Sequence, residues 1–129
     1  MLAVDTNVIV RYLTNDHSQQ SARARKLVDG QDVWVPTTVL LETEWVLRSV
    51  YRYTPAQIAI ALRKLAGLPH VAVENAALAA QALNWAEQGM DFADALHLGA
   101  ADHCEAFATF DTDFVKAAKK TSAGNVRSP

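Results

Sequence analysis

Leu2-Ala3-Val4-Asp5-Thr6-Asn7-Val8-Ile9 decides the fold. Three apolar residues stop at an acid and a turn follows. Val8, Ile9, Tyr12 and Leu13 then recur at helical spacing, so the stretch reads as strand, turn and short helix. The same alternation recurs downstream. Val33-Trp34-Val35 is a strand stopped by Pro36, and Val71-Ala72-Val73 is a third. Ala106-Phe107-Ala108, leading into Thr109-Phe110-Asp111, is a fourth, and a last one falls near Val126. Helices fill the gaps. Asp16-His17-Ser18 caps one through about Asp29, with Gly30 just past its end. Thr37 or Thr38 caps another to about Arg52, with Val39, Leu40, Val46, Leu47 and Val50 on one face. Thr54-Pro55 starts a helix that ends near Gly67. Glu74 or Asn75 opens one to about Gly89, Asp91 opens one to about Cys104, and a short one covers 114–119. Short apolar strands separated by helices predict an α/β fold with a central, mainly parallel sheet of four to five strands, covered on both faces.

Composition agrees with one domain spanning residues 1–129. Half the residues are apolar and a fifth charged, which excludes disordered and collagen-like classes. No apolar run approaches the roughly 20 residues of a membrane span. Asp5 interrupts the first apolar run at once, so no secretory leader is expected and the chain is placed in the cytoplasm, away from membranes. The single cysteine, Cys104, excludes an internal disulfide and a cysteine-based zinc cage, and is expected as a buried small apolar residue. The net charge of −2 becomes +2 once four acids are set aside for a metal, so charge neither supports nor excludes a nucleic-acid partner.

In an open parallel sheet, ligands bind beyond the carboxyl ends of the strands. Asp5 follows the first strand and Asp111 the fourth, so both are expected in that crevice. Asp94 falls in the first turn of its helix and shares a face with Leu98 and Ala101, odd company for a solvated charge, and the helix N-terminus is expected to keep it ionised. Glu42 and Glu44 lie about 100° to either side of the apolar arc of their helix, and the wheel does not choose between them. Acids sharing one crevice need protonation, a basic partner or a hard cation. No Lys or Arg adjoins Asp5, Glu42, Asp94 or Asp111 in sequence, and there is no pair of histidines four apart. An all-carboxylate shell suits Mg²⁺ or Mn²⁺, which favours phosphodiester hydrolysis.

The segments Val4-Asp5-Thr6-Asn7, Leu41-Glu42-Thr43-Glu44-Trp45-Val46-Leu47, Asp91-Phe92-Ala93-Asp94-Ala95-Leu96-His97 and Thr109-Phe110-Asp111-Thr112-Asp113-Phe114 occur in the order found in PIN-domain ribonucleases. The chain resembles that family along its whole length, and within it the VapC-type toxins of toxin–antitoxin pairs. The resemblance implies a PIN-like three-layer α/β/α fold. It implies Asp5, Glu42 and Asp94 as the metal-binding triad and Asp111 as the fourth acid, with Asp113 as a near substitute, and it takes Glu42 over Glu44. Thr6 and Asn7 match turn residues that steady the first acid, and Thr109 a polar residue close to the fourth. The implied activity is Mg²⁺- or Mn²⁺-dependent, single-strand-specific endonucleolytic cleavage of RNA such as tRNA or rRNA, leaving a 5′-phosphate and a 3′-hydroxyl. Implied partners are a small VapB-type antitoxin and a second copy of the chain, with Trp45, Tyr51 and Tyr53 as exposed contacts.

Blander roles compete for the same residues. Asp5 makes a good helix N-cap, and Asp91 reads as the cap of its helix before it reads as a ligand. His97 lies about 60° from Asp94 and reaches at most the edge of the site. Trp34 and Trp85 read as packing residues, and Arg11, Arg23, Arg25 and Lys26 as solvated charges that would also suit phosphates. Asp111-Thr112-Asp113 resembles the haloacid-dehalogenase motif, but only sixteen residues follow Asp113. A receiver domain would need paired acids after the first strand, which are absent. The remaining alternatives are a non-toxin RNA-processing nuclease and a non-catalytic RNA- or protein-binding module of the same fold.

Overall fold

The computed structural model describes all 129 residues. They form two compact units, Met1–Ala76 and Ala77–Pro129. The first holds a parallel sheet of β1 (Leu2–Ala3), β2 (Val33–Val35) and β3 (Val71–Val73), in that order. Leu2 pairs with Val33, and Val33, Trp34 and Val35 pair with Val71, Ala72 and Val73. β2 is central, and Val33 and Val35 are fully buried as its apolar run requires. The unit's helices are α1 (Thr6–Thr14), α2 (Ser18–Gly30), α3 (Thr37–Ser49) and α4 (Pro55–Ala66). Ile9, Val28, Leu47, Leu62 and Leu65 supply the buried faces of all four. Thr54 and Gln57 form a reciprocal capping box at α4, with Pro55 at the first turn, as the Thr-Pro signal predicts.

The second unit contains α5 from Ala77 onward (the helix spans Ala76–Glu87), α6 (Phe92–Ala100) and α7 (Thr112–Thr121). A two-stranded parallel sheet joins β4 (Phe107–Ala108) to β5 (Val126–Arg127). A methyl group on Gly99 would run into Leu78 Cδ1, so the end of the Leu78 side chain would have to shift before α6 could carry a side chain there. All five expected strands are thus present, as parallel sheets of three and two, and the α/β class holds. No helix is long and apolar enough to cross a membrane.

Several local expectations are corrected. Neither Thr37 nor Thr38 caps α3; Pro36 holds the cap position without a side-chain bond, and Glu74 Oε1 accepts from the Thr37 amide at 3.0 Å. A cap need not be local when a neighbouring strand end can deliver a carboxylate. α3 ends at Ser49, and Val50 is 62% exposed instead of lying on the packed face. Its buried stripe is Leu40, Thr43, Glu44 and Leu47, made tolerable for polar groups because Thr43 Oγ1 donates to the Val39 carbonyl and Glu44 pairs with Arg48. Gly30 closes α2 from inside, and α6 stops at Ala100, short of Cys104. Cys104 sits exposed in the turn beyond. β4 ends at Ala108, so Phe110 leaves the sheet and is 87% exposed. Tyr51 and Tyr53 are half-buried, packed edge to face 6.4 Å apart, while Trp45 is exposed as expected.

Candidate functional site

In the first unit the site is organised by one threonine. Asp5 follows β1 and takes the N-cap position of α1, where extended backbone lets its Oδ1 accept from the Thr6 amide at 2.7 Å. Thr6 is buried, and its Oγ1 donates to Glu42 Oε1 on α3 at 2.5 Å. The amide and hydroxyl of a single residue therefore hold two exposed carboxylates that come from separate elements. Asp5, Thr6, Asn7, Arg11 and Glu42 line one cleft of about 330 Å³.

The two glutamates of α3 separate cleanly. Glu42 faces this cleft, whereas Glu44 is 5% exposed and accepts from Arg48 Nε at 3.0 Å and Nη2 at 3.3 Å. Burial of a charge is tolerable only with such a partner. The helical wheel left both open because the packed stripe includes Thr43 and Glu44, which an apolar count cannot see.

Sequence reasoning found no basic residue beside the acids; the fold supplies one. Arg11 lines the cleft, but its charge is engaged elsewhere. Nη1 donates to Asp16 Oδ1 at 3.0 Å, and Nε donates to Gln20 Oε1 at 2.8 Å. The Tyr51 hydroxyl donates to Asp16 Oδ2 at 2.5 Å. That bond, joined by those from Thr14 and Arg11, holds the Asp16 carboxyl below the ordinary range. Asp5 and Glu42 form no ion pair with Arg11.

The second unit brings together the other acids. Asp91 caps α6, its Oδ2 accepting from the Asp94 amide at 3.2 Å, as the capping reading has it. Asp111 caps α7, accepting from the amides of Asp113 at 2.9 Å and Phe114 at 3.3 Å, while its own amide donates to Thr109 Oγ1 at 3.0 Å. Thr109 thus fixes the backbone that aims Asp111, and Asp113 stands exposed in the first turn of α7.

Asp94 is half-buried in the first turn of α6. Burial, then the negative charges of Asp91 and Asp111, push its carboxyl above the ordinary range, with His97 opposing. The burial and the two like charges oppose the helix N-terminus, so the charge on Asp94 is held in a less favourable setting than the helix end alone would give. His97 stacks on Phe107 at 6.5 Å, and Phe107 packs against Phe114 at 5.3 Å, which ties α6 and α7 to β4.

The donors of both units are hard oxygens whose charge the chain leaves uncancelled, which is the chemistry that suits Mg²⁺ or Mn²⁺. Asp5 and Glu42 have only Thr6, and Asp94 has two anions against one histidine. No three acidic, histidine or cysteine side chains are arranged as a closed ligand set. The fit is therefore one of donor type and charge. Residues 2–120 match the family described as PIN domain, and no curated protein matches the chain.

Proposed function

This chain belongs to the PIN domain family, whose members are generally nucleases that use divalent metal ions, and from that premise we propose a Mg²⁺- or Mn²⁺-dependent endoribonuclease working as a single domain of residues 1–129. The observation that carries the reading is Thr6 holding Asp5 and Glu42 in one cleft. Asp5, Glu42, Asp94 and Asp111 are proposed as the metal ligands. A bound divalent ion supplies activation of water for attack on phosphorus and charge neutralisation on the phosphodiester. The chain's own residues do the positioning. Thr6 orients one oxygen of each carboxylate in its cleft, and Thr109 and the start of α7 orient Asp111. Asp91 and Asp111 raise the negative potential around Asp94, and a divalent ion held by Asp94 and Asp111 would offset it. Asn7 lines the first cleft with a side-chain amide for substrate.

The finer proposal is a cytoplasmic VapC-type toxin that cuts single-stranded regions of tRNA or rRNA, pairs with itself, and is held in check by a small VapB-type antitoxin. It rests on the quoted motifs and on a family match covering residues 2–120. The test is cleavage of total RNA with Mg²⁺ or Mn²⁺, followed by sequencing of the new ends. Cleavage should leave 5′-phosphates and vanish in Asp5→Asn and Asp94→Asn. RNA bound equally by the parent and both variants, with no cutting in either metal, would instead identify a binding module. A short overlapping upstream reading frame separates a toxin from a processing nuclease.

A further inference from the structure

A second cleft, of about 390 Å³, opens between α1 and α2 and shares Asn7 and Arg11 with the acidic cleft. Its polar lining is Asn7, Arg11, Gln20 and Arg23, over an apolar floor that includes Ala24 and Leu27. No carboxylate lines it. Every polar group it offers is a hydrogen-bond donor or has donors to spare. Gln20 uses its carbonyl oxygen to accept from Arg11 Nε, which leaves its amide NH₂ as the free end. Arg11 uses Nε and Nη1 on Gln20, Asp16 and Tyr51, which leaves Nη2. Arg23 has no hydrogen-bond or ion-pair partner in the chain. An arginine with no partner, facing a donor-lined cleft beside another arginine, lacks an anion.

We propose that this cleft binds a backbone phosphate of the RNA flanking the one that is cut, with Arg23 as the charged ligand and Gln20 and Arg11 Nη2 as neighbouring donors. The inference rests on the nuclease reading and gives its substrate a second anchoring point. Guanidinium suits this because its fork matches two phosphate oxygens. The bonds from Arg11 to Gln20 and Asp16 fix two of the donors before any ligand arrives, so less side-chain freedom is lost on binding. Asn7 and Arg11, common to both clefts, give one strand a continuous path from the basic cleft to Asp5 and Glu42.

The test is anisotropy of a fluorescein-labelled single-stranded RNA with the full chain, in EDTA, across a salt series. A parallel cleavage assay runs in Mg²⁺. Arg23→Gln should weaken binding about five- to tenfold and reduce the slope of log affinity against log salt by about 0.7, one phosphate contact on a single strand. Arg23→Lys should keep the slope. Arg25→Gln, on the same helix but facing a different groove that Lys64 also lines, should stay within about twofold of the parent. Arg23→Gln with parental affinity and slope would overturn the proposal, as would an equal loss in Arg25→Gln, the sign of a diffuse field. A loss of binding to a polyglutamate peptide with RNA binding intact would assign the cleft to an acidic protein segment and overturn it too. Failure of the parent chain to cut RNA defeats the nuclease reading alone, since the binding series still decides the cleft. A parent that cuts, with KM unmoved in Arg23→Gln, defeats the cleft alone.

Discussion

Glu42→Gln and Glu44→Gln change the same atom type two residues apart on α3, and the structure assigns them opposite consequences. Glu44 is 5% exposed, and both its oxygens accept from Arg48 at 3.0 and 3.3 Å. Breaking a fully buried pair costs about 3–5 kcal/mol. The Arg48 side chain is 44% exposed, so water screens the pair and the figure falls to about 1–2 kcal/mol. With an unfolding entropy near 2.1 cal/mol/K per residue, 129 residues give about 4 °C per kcal/mol, hence a fall of about 4–8 °C in Tm for Glu44→Gln. Glu42 is exposed and accepts from Thr6, a bond that the Gln carbonyl oxygen can still accept. Its replacement should move stability by less than about 0.5 kcal/mol. As a proposed metal ligand, Glu42 should nevertheless be needed for cleavage, which is expected to fall by at least about 100-fold, because even supporting groups of a metal site cost 10- to 100-fold. Thermal melts and urea titrations read the first effect, and RNA cleavage in Mg²⁺ below the melting range reads the second. A Glu44→Gln protein that melts like the parent but no longer cuts, beside an active Glu42→Gln protein, would refute the assignment of the two roles.

Three further outcomes follow from particular groups. Thr6→Val removes the hydroxyl that holds Glu42; a loss of about 1 kcal/mol in stability and a larger loss in kcat than in KM are expected, with Thr6→Ser restoring both in melting and steady-state assays. Asp94 has a folded-state pKa raised above its unfolded value, so the native state binds the extra proton. Its contribution to stability is present below the unfolded pKa near 4 and is lost as pH rises through the folded value. Asp94→Asn should therefore be more stable than the metal-free parent at neutral pH and show a flatter profile in urea titrations as pH rises from about 4, and a less stable variant at neutral pH would contradict the repulsion argument. Ser21 is fully buried in α2 and its hydroxyl has no partner, so Ser21→Ala should raise Tm by roughly 4 °C, about 1 kcal/mol, and an unchanged melting curve would mean that the hydroxyl is satisfied in solution.

Local order was the part of this protein readable from the chain alone. All five strands and all seven helices were expected near their observed positions because apolar periodicity, Pro55 and the Asp caps act over one or two turns. Asp5, Asp94 and Asp111 stood out for the same reason, since each sits at a strand end or a helix start, whereas Glu42 could not be told from Glu44 by periodicity. What the sequence could not decide depended on groups distant along the chain. Glu74 caps α3 from 37 residues away. Thr6 selects Glu42 from 36 residues away, while packing of the Leu40–Leu47 stripe buries Glu44 and gives it Arg48. Arg11 is drawn by Asp16, Gln20 and Tyr51 away from the acids whose cleft it lines. Such choices are settled by desolvation and by which partner arrives, and both are properties of the packed tertiary structure, invisible to a pattern read along one strand or one helix.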